Sequence, residues 1–76
     1  MLKKLVLTVA QTLVDHPEDV HVDQVEQEGT TVLTLSVHKE DMGKVIGKSG
    51  KVASALRTVL AAANRDHGKV RLNIAD

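Results

Sequence analysis

The sequence lacks cysteine and the aromatic residues phenylalanine, tyrosine and tryptophan, and it contains a single proline. Without cysteine there is no disulfide, no thiolate nucleophile and no cysteine-based zinc site, which fits a reducing compartment, and we expect a cytoplasmic protein. Without aromatic side chains, binding of nucleic acid would have to use backbone amides, basic side chains and aliphatic contacts. The apolar N-terminal stretch is interrupted by polar residues and falls short of the roughly 20 apolar residues of a membrane span, so we expect none.

The 76 residues, of which 42% are hydrophobic, suffice for one small domain, residues 1–76, and not for two. Because a core of this size is only marginally stable, we expect a very regular fold or help from a partner chain. The ten basic and ten acidic residues are unevenly distributed along the chain. Residues 1–41 carry three lysines against eight acidic residues, whereas residues 42–71 carry seven basic residues against one aspartate. The second half could therefore present a positive surface to an anion.

Hydrophobic periodicity in the first half predicts a helix followed by two strands. Apolar residues recur every three to four positions over residues 2–15, and Pro17 ends this helix. Two strand-like runs follow, joined by a turn at residues 28–30 that is short enough for an antiparallel hairpin. In the first run, Val25 breaks the alternation that precedes it, which predicts a bulge or a register change there. In the second run, residues 31–37, Leu33, Leu35 and Val37 share one face.

The second half predicts two helices and a final strand. A short apolar face around Met42 is followed by a longer helical segment, about residues 51–65, which Gly68 ends. Residues 70–74 then alternate as a strand, and a right-handed crossover would place it parallel to the second strand. The predicted fold class is α+β, with the order αββααβ and a three-stranded mixed sheet that has three helices packed on one face.

A glycine-rich segment between the two later helices carries the chemistry. Gly43 and Gly47 enclose three residues, where a nucleotide-binding P-loop needs four, so nucleotide hydrolysis is disfavoured. Gly47 and Gly50 instead flank Lys48 and Ser49, and such a turn lets a phosphodiester approach the main chain and the free amides of the following helix. The residues that would add charge are Lys44, Lys48 and Lys51, and those that could wall a groove for bases are Val45, Ile46 and Val52. The alternative is a tight helix-helix turn with solvated lysines.

Residues 45–53 read Val-Ile-Gly-Lys-Ser-Gly-Lys-Val-Ala, which resembles the I-G-x-x-G signature of the KH domain with its following apolar residue. The extra helix and strand ahead of the core resemble the type II, prokaryotic arrangement. With Glu-Asp-Met-Gly-Lys at residues 40–44 and Ala-Leu-Arg-Thr at residues 55–58, the chain resembles, essentially end to end, the KhpA family of small bacterial single-KH-domain RNA-binding proteins. Lys39 stands where the family commonly has proline, which puts the start of the short helix in question.

The resemblance implies that the protein binds single-stranded RNA. In KH domains the GxxG loop clamps the backbone of about four nucleotides, and the bases lie in an adjacent aliphatic groove. The implied clamp residues are Gly47, Lys48, Ser49 and Gly50. The resemblance also implies a KhpB (Jag-type) RNA-binding partner, RNA-chaperone-like regulation, and a link to cell elongation and cell-wall synthesis.

The longer helix also predicts a protein partner. On a helical wheel at about 100° per residue, the apolar residues of segment 51–65 cover about half the circumference, more than one core needs. The residues that suit the sheet are Ala53, Leu56 and Leu60, and those toward the other edge are Ala55, Val59 and Ala62. The second set suits another copy of the helix, so we expect a homodimer or heterodimer. The alternative is an alanine-rich helix with no interface.

The four histidines have no spacing typical of a metal or catalytic site, and we expect solvated or capping roles for His16, His21, His38 and His67. No catalytic set, metal site or cofactor is predicted. The sequence thus indicates a noncatalytic RNA-binding module that acts as a dimer. Two alternatives remain: a protein-interaction subunit that binds RNA only weakly, and a small enzyme that holds a phosphorylated ligand at the glycine-rich loop.

Overall fold

The helices and strands follow the predicted order in a computed structural model, which describes residues 2–65 and 68–75. The helices are α1 (Leu2–Leu13), α2 (Met42–Ile46) and α3 (Lys51–Ala63), and the strands are β1 (His21–Gln27), β2 (Thr30–Ser36) and β3 (Lys69–Ala75). Short 3-10 turns at Pro17–Asp19, Lys39–Asp41 and Lys48–Gly50 precede β1, α2 and α3. The helices α1 and α3 each end two residues before the predicted limit.

The three strands form one mixed sheet in the order β1-β2-β3, with β1 and β2 antiparallel and β2 and β3 parallel. The predicted hairpin and the predicted parallel final strand are both confirmed. The bulge predicted at Val25 is wrong, because the pairing of β1 with β2 runs without interruption and sets Val25 opposite Val32. Val25 breaks the apolar alternation because it lies on the face away from the helices, where 51% of it is exposed.

The three helices cover the other face of the sheet, where Leu33 and Leu35 of the central strand are completely buried. The predicted core positions of α3 are confirmed, since Ala53, Leu56 and Leu60 are all buried. The remaining buried hydrophobic residues are Val6, Ala10, Val14, Val20, Val22, Val45 and Leu72. Val37, predicted to share this face, follows the end of β2 and is only half-buried. The core is therefore aliphatic throughout.

The side chain of His38, one residue before Lys39, caps the 3-10 turn that precedes α2. The ring nitrogen Nδ1 of His38 accepts a hydrogen bond from the Glu40 backbone N–H at 3.0 Å, which caps the turn Lys39–Asp41. Helix α2 then begins at Met42. With Lys39 where the family commonly has proline, the short helix thus begins directly after this capped turn, and no side chain caps α2 itself.

The two faces of the sheet differ in what a substitution costs. Leu33→Ala opens a cavity in the apolar cluster between the sheet and the helices, so we expect it to lower the free energy of unfolding by about 2 to 5 kcal/mol. Val25→Thr, on the open face, should change it by no more than about 0.5 kcal/mol. Urea unfolding followed by circular dichroism measures both. A large loss from Val25→Thr would show that this face is covered after all.

Candidate functional site

Residues 47–50 turn the chain sharply between α2 and α3. The Gly47 N–H donates to the Gly43 carbonyl oxygen at 2.8 Å and closes α2, and the Gly50 N–H donates to the Gly47 carbonyl oxygen at 3.1 Å. Three of the four residues have positive φ: 77° at Gly47, 56° at Ser49 and 77° at Gly50. Ser49 adopts this left-handed conformation at a cost, because its Cβ crowds the backbone there.

The two glycines of the turn serve different purposes. A Cβ on Gly47 would lie 2.5 Å from Val52 Cγ2 and 2.8 Å from the Val52 nitrogen, so packing against α3 excludes any side chain. A Cβ on Gly50 would meet nothing within 4 Å. Gly47 therefore lets α2 and α3 approach each other, whereas Gly50 leaves the backbone at the start of α3 open to a ligand.

The N-terminus of α3 is an electropositive end. No side chain caps it. The Gly50 and Lys51 amides donate to the carbonyl oxygens of Gly47 and Lys48, so only the first-turn amides after Lys51 remain for solvent or an anion, and the helix dipole favours negative charge there. Lys48 and Lys51 flank the turn with exposed side chains, and neither forms a salt bridge within the described part of the chain. The structure thus brings together free amides and two lysines that no acidic group neutralises.

Lys44 has partners elsewhere. Its ammonium forms an ion pair with the Asp15 carboxylate and lies 3.8 Å from Asp41 Oδ1. The hydrogen bond to Asp15 raises the pKa of Lys44 against the opposing effect of desolvation. Of the three lysines that the sequence grouped, the structure therefore leaves Lys48 and Lys51 available and engages Lys44 with the chain between α1 and β1.

The apolar residues predicted to line a groove for bases also differ in how far they are exposed. Val45 is fully buried in the core and supports the site from beneath, so it offers no surface to a ligand. Ile46, by contrast, is 37% exposed at the end of α2. Val52 is half-buried beside Gly47. Ile46 and Val52 are thus the aliphatic groups next to the turn that a base could contact.

A contact between His16 and Asp41 is the feature that the sequence analysis missed. The Asp41 side chain is 1% exposed, and its Oδ2 accepts the His16 backbone N–H at 2.9 Å and lies 3.0 Å from His16 Nδ1. Burial raises the pKa of Asp41, but the hydrogen bonds from His16 outweigh it and the net pKa is lowered. The bond to Asp41 raises the pKa of His16. No local signal predicts this pair, because 25 residues separate its members.

The histidine predictions are therefore only partly right. The capping role is confirmed at His38, and His21 is exposed on β1. His16 instead pairs with a buried carboxylate and stacks on the His38 ring, with centroids 4.2 Å apart and planes 18° from parallel. His67 lies outside the described residues.

His16, His38 and Glu40 place possible metal-ligand atoms within 4.8 Å of one another. The stacked rings do not suit a shared ion, because the lone pairs of two nearly parallel rings lie in separate planes and do not converge. The Nδ1 atom of His38 is also occupied by the Glu40 N–H. The cluster fits a structural contact better than a metal centre.

An apolar groove of about 320 Å³ runs between α1 and α3. It is lined by Leu5, Val6, Val9, Lys51, Val52, Ala55, Leu56, Val59 and Leu60. Two of the predicted interface residues, Ala55 and Val59, thus lie in the groove, and Val59 is 49% exposed. Ala62, the third, is exposed on the same helix beyond the lining. Within the described ranges, no helix has the length and apolar character needed to cross a membrane.

The contrast between Gly47 and Gly50 can be measured by replacing each with alanine. Gly47→Ala combines backbone strain with a steric clash against Val52, so we expect it to lower the free energy of unfolding by roughly 3 kcal/mol or more. Gly50→Ala meets only the strain of a left-handed residue, about 1 kcal/mol. Urea unfolding compares the two, and equal losses would contradict the packing role assigned to Gly47.

Comparison with known proteins places this architecture in a family. The family model described as "KhpA/KhpB, KH domain" matches residues 3–74. The chain is 53% identical to the RNA-binding protein KhpA of Clostridium perfringens over 74 residues, which cover 96% of this chain and 99% of the relative. It is 50% identical to the RNA-binding protein KhpA of Halalkalibacterium halodurans over 99% of this chain and 100% of the relative. It is 46% identical to the protein of the same name in Bacillus subtilis, over 99% of this chain and 94% of the relative. The αββααβ chain with its glycine turn therefore belongs to the KhpA/KhpB KH-domain family.

Proposed function

We propose that the protein is a noncatalytic single-stranded RNA-binding protein, built as one KH domain over residues 1–76, that grips the RNA backbone at residues 47–50. The observation that carries the proposal is the open Gly50 turn, where the N-terminus of α3 has no side-chain cap and neither Lys48 nor Lys51 forms a salt bridge within the described residues. The relatives named as RNA-binding proteins support it over almost their full length.

The proposed grip uses the backbone more than side chains. A phosphate reaches the α3 amides because Gly50 presents no Cβ, and Lys48 and Lys51 add charge on either side. Ile46 and Val52 offer an aliphatic surface to a base, with buried Val45 behind them. Lys44 takes part only if an RNA phosphate displaces Asp15. Without aromatic stacking, the affinity of one site should be modest and should depend strongly on salt.

Modest affinity at one site gives dimerisation a purpose, since a second linked site raises the effective concentration of RNA. The proposed interface is the exposed strip of Ala55, Val59 and Ala62, supported by the apolar groove that two of these residues share with α1. The same strip is proposed for a homodimer and for a heterodimer with a KhpB (Jag-type) RNA-binding protein. Family resemblance extends the proposal to a cytoplasmic RNA chaperone or post-transcriptional regulator connected with cell elongation and wall homeostasis.

A second function is favoured by one observation, the exposed apolar groove between α1 and α3. If that surface is the working part of the molecule, the protein is an interaction subunit whose KH surface binds RNA only weakly. The two functions differ in what happens when the glycine turn is made acidic, because only RNA binding depends on the charge of residues 48–51.

The test of RNA binding is the double variant Lys48→Asp, Ser49→Asp. Aspartate tolerates the left-handed conformation at residue 49, so the turn should survive while phosphate is repelled. Fluorescence anisotropy with a short single-stranded RNA should show binding by the wild type that weakens with salt and no binding by the variant. The logarithmic salt slope of the wild type, roughly 0.7 per phosphate contact for a single strand, would indicate how many phosphate contacts it makes.

The matched control is Lys4→Asp, Thr8→Asp, which makes the same change in charge at two exposed positions of α1. It should bind RNA nearly as the wild type does. If neither the wild type nor the control binds, or if the acidic turn binds as well as the wild type, RNA binding at this turn is wrong and the interaction subunit is favoured.

The test of the dimer is Val59→Asp, which places a charge in the centre of the proposed apolar strip. Light scattering should report a dimer for the wild type and a monomer for the variant. The control is Ala61→Asp, an exposed α3 position more than half a helical turn away, which should remain dimeric. An unchanged mass for Val59→Asp would overturn the interface.

A further inference from the structure

Helix α2 decides where the glycine turn lies, yet it has little stability of its own. It contains five residues, too few for an isolated helix, and it leads directly into Gly47. Its one fully buried side chain is Val45. Val45 and the close packing of Gly47 on Val52 hold the C-terminal part of α2 against the core and α3. At the other end of α2, directional polar contacts add to this packing in fixing how the helix is rotated.

Those directional contacts converge on two consecutive residues, Asp15 and His16, between α1 and β1. Asp41, the residue before α2, bonds to the backbone and the ring of His16, and Lys44 within α2 pairs with Asp15. Asp41 is almost completely buried, so its bonds to His16 are sheltered from water and hold a definite geometry. We call the pair of Asp41 and His16 the clasp.

The face of the His16 ring makes a further contact. The His38 ring stacks on it, and Nδ1 of His38 is fixed in turn by the Glu40 N–H. The charged and titratable groups around His16 are Asp41, Glu18, Glu40, the stacked His38, and Lys44, whose ammonium lies 3.8 Å from the other oxygen of Asp41. Three of these are acidic, which favours protonated His16.

We propose that Asp41 and His16 are positioning residues for RNA binding, which set the orientation of α2 and thereby the presentation of the glycine turn and the α3 amides. Neither residue belongs to the RNA-contacting set. The inference rests on the proposed function, because it assigns the clasp to the same turn. RNA affinity would then depend on His16 and Asp41, which precede α2 in the sequence, whereas the glycine turn follows it.

The pH dependence of the clasp follows from its two pKa shifts. The pKa of His16 is raised above 6.5 by its bond to Asp41, so the charged pair is fully formed below pH 6.5 and weakens as pH rises through the raised value. The pKa of Asp41 is lowered below 3.8, so its contribution is present above pH 3.8 and is lost as pH falls through the lowered value. Between pH 5.5 and 8.5, the pair can therefore change its protonation only through His16.

The first measurement follows the free protein by NMR over pH 5.5 to 8.5. In the wild type, the amide resonances of Gly47 and Gly50 should shift with the same midpoint as the His16 ring. In His16→Gln they should not shift with that midpoint. The control His21→Gln removes an exposed histidine from β1 and should keep the wild-type titration. Because no RNA is present, this result stands whether or not the proposed function is right.

The second measurement repeats RNA anisotropy over the same pH range at constant salt. The wild type and His21→Gln should lose affinity in parallel as pH rises, and His16→Gln should lack that component. At pH 6, His16→Gln and Asp41→Asn should each bind about three- to tenfold more weakly than the wild type, and the double variant should be little worse than either single one.

The outcomes separate the two proposals. If the glycine amides follow His16 but the acidic-turn variant binds RNA as the wild type does, the proposed function fails and the positioning of the turn stands. If the acidic turn abolishes binding while His16→Gln keeps the wild-type affinity and pH profile, the RNA site stands and the clasp is only a structural contact. Should Asp41→Asn unfold, the His16→Gln comparison still decides, since His16 is partly exposed.

Discussion

Leu33 and Leu35 have no exposed surface, and the burial of these two side chains underlies the rest of the molecule. They belong to the central strand, which pairs on both sides, and they share one apolar cluster with the buried faces of all three helices. Each fully buried leucine contributes about 1.5 to 3 kcal/mol, a large share of the stability expected for so small a domain. The turn before α2 follows shortly after the end of that strand, so the buried strand also sets where α2 and the glycine turn begin.

From that fixed point, local backbone chemistry shapes the site. Gly47 lets two helices meet closely, and Gly50 opens the backbone at the start of the second one. The result is a helix end whose peptide groups and dipole favour an anion, as proposed for RNA phosphate, and this arrangement requires no aromatic residue. A chain without aromatic side chains can therefore still be suited to a polyanion, with charge and backbone amides in place of stacking.

The uneven charge of the sequence is only partly preserved in space. Asp15 and Asp41 of the acidic half contact Lys44 of the basic half. These acidic groups thus serve the internal structure, while Lys48 and Lys51 remain without acidic partners among the described residues. Of the three lysines near the turn, Lys44 pairs with acidic side chains beside α2, and Lys48 and Lys51 flank the turn.

Local signals predict the element order, the buried faces of β2 and α3, and the glycine turn, because periodicity, turn residues and a short motif each involve residues close together in the chain. The bulge predicted at Val25 was wrong, because the alternation of apolar residues does not show that Val25 lies on the open face of the sheet, opposite Val32. Three features arise only when the chain folds: Val45 is buried while Ile46 is exposed, Lys44 pairs with Asp15, and Asp41 bonds to His16. Each of these depends on how a five-residue helix docks on distant parts of the chain, and such contacts leave no periodic trace in the residues that make them.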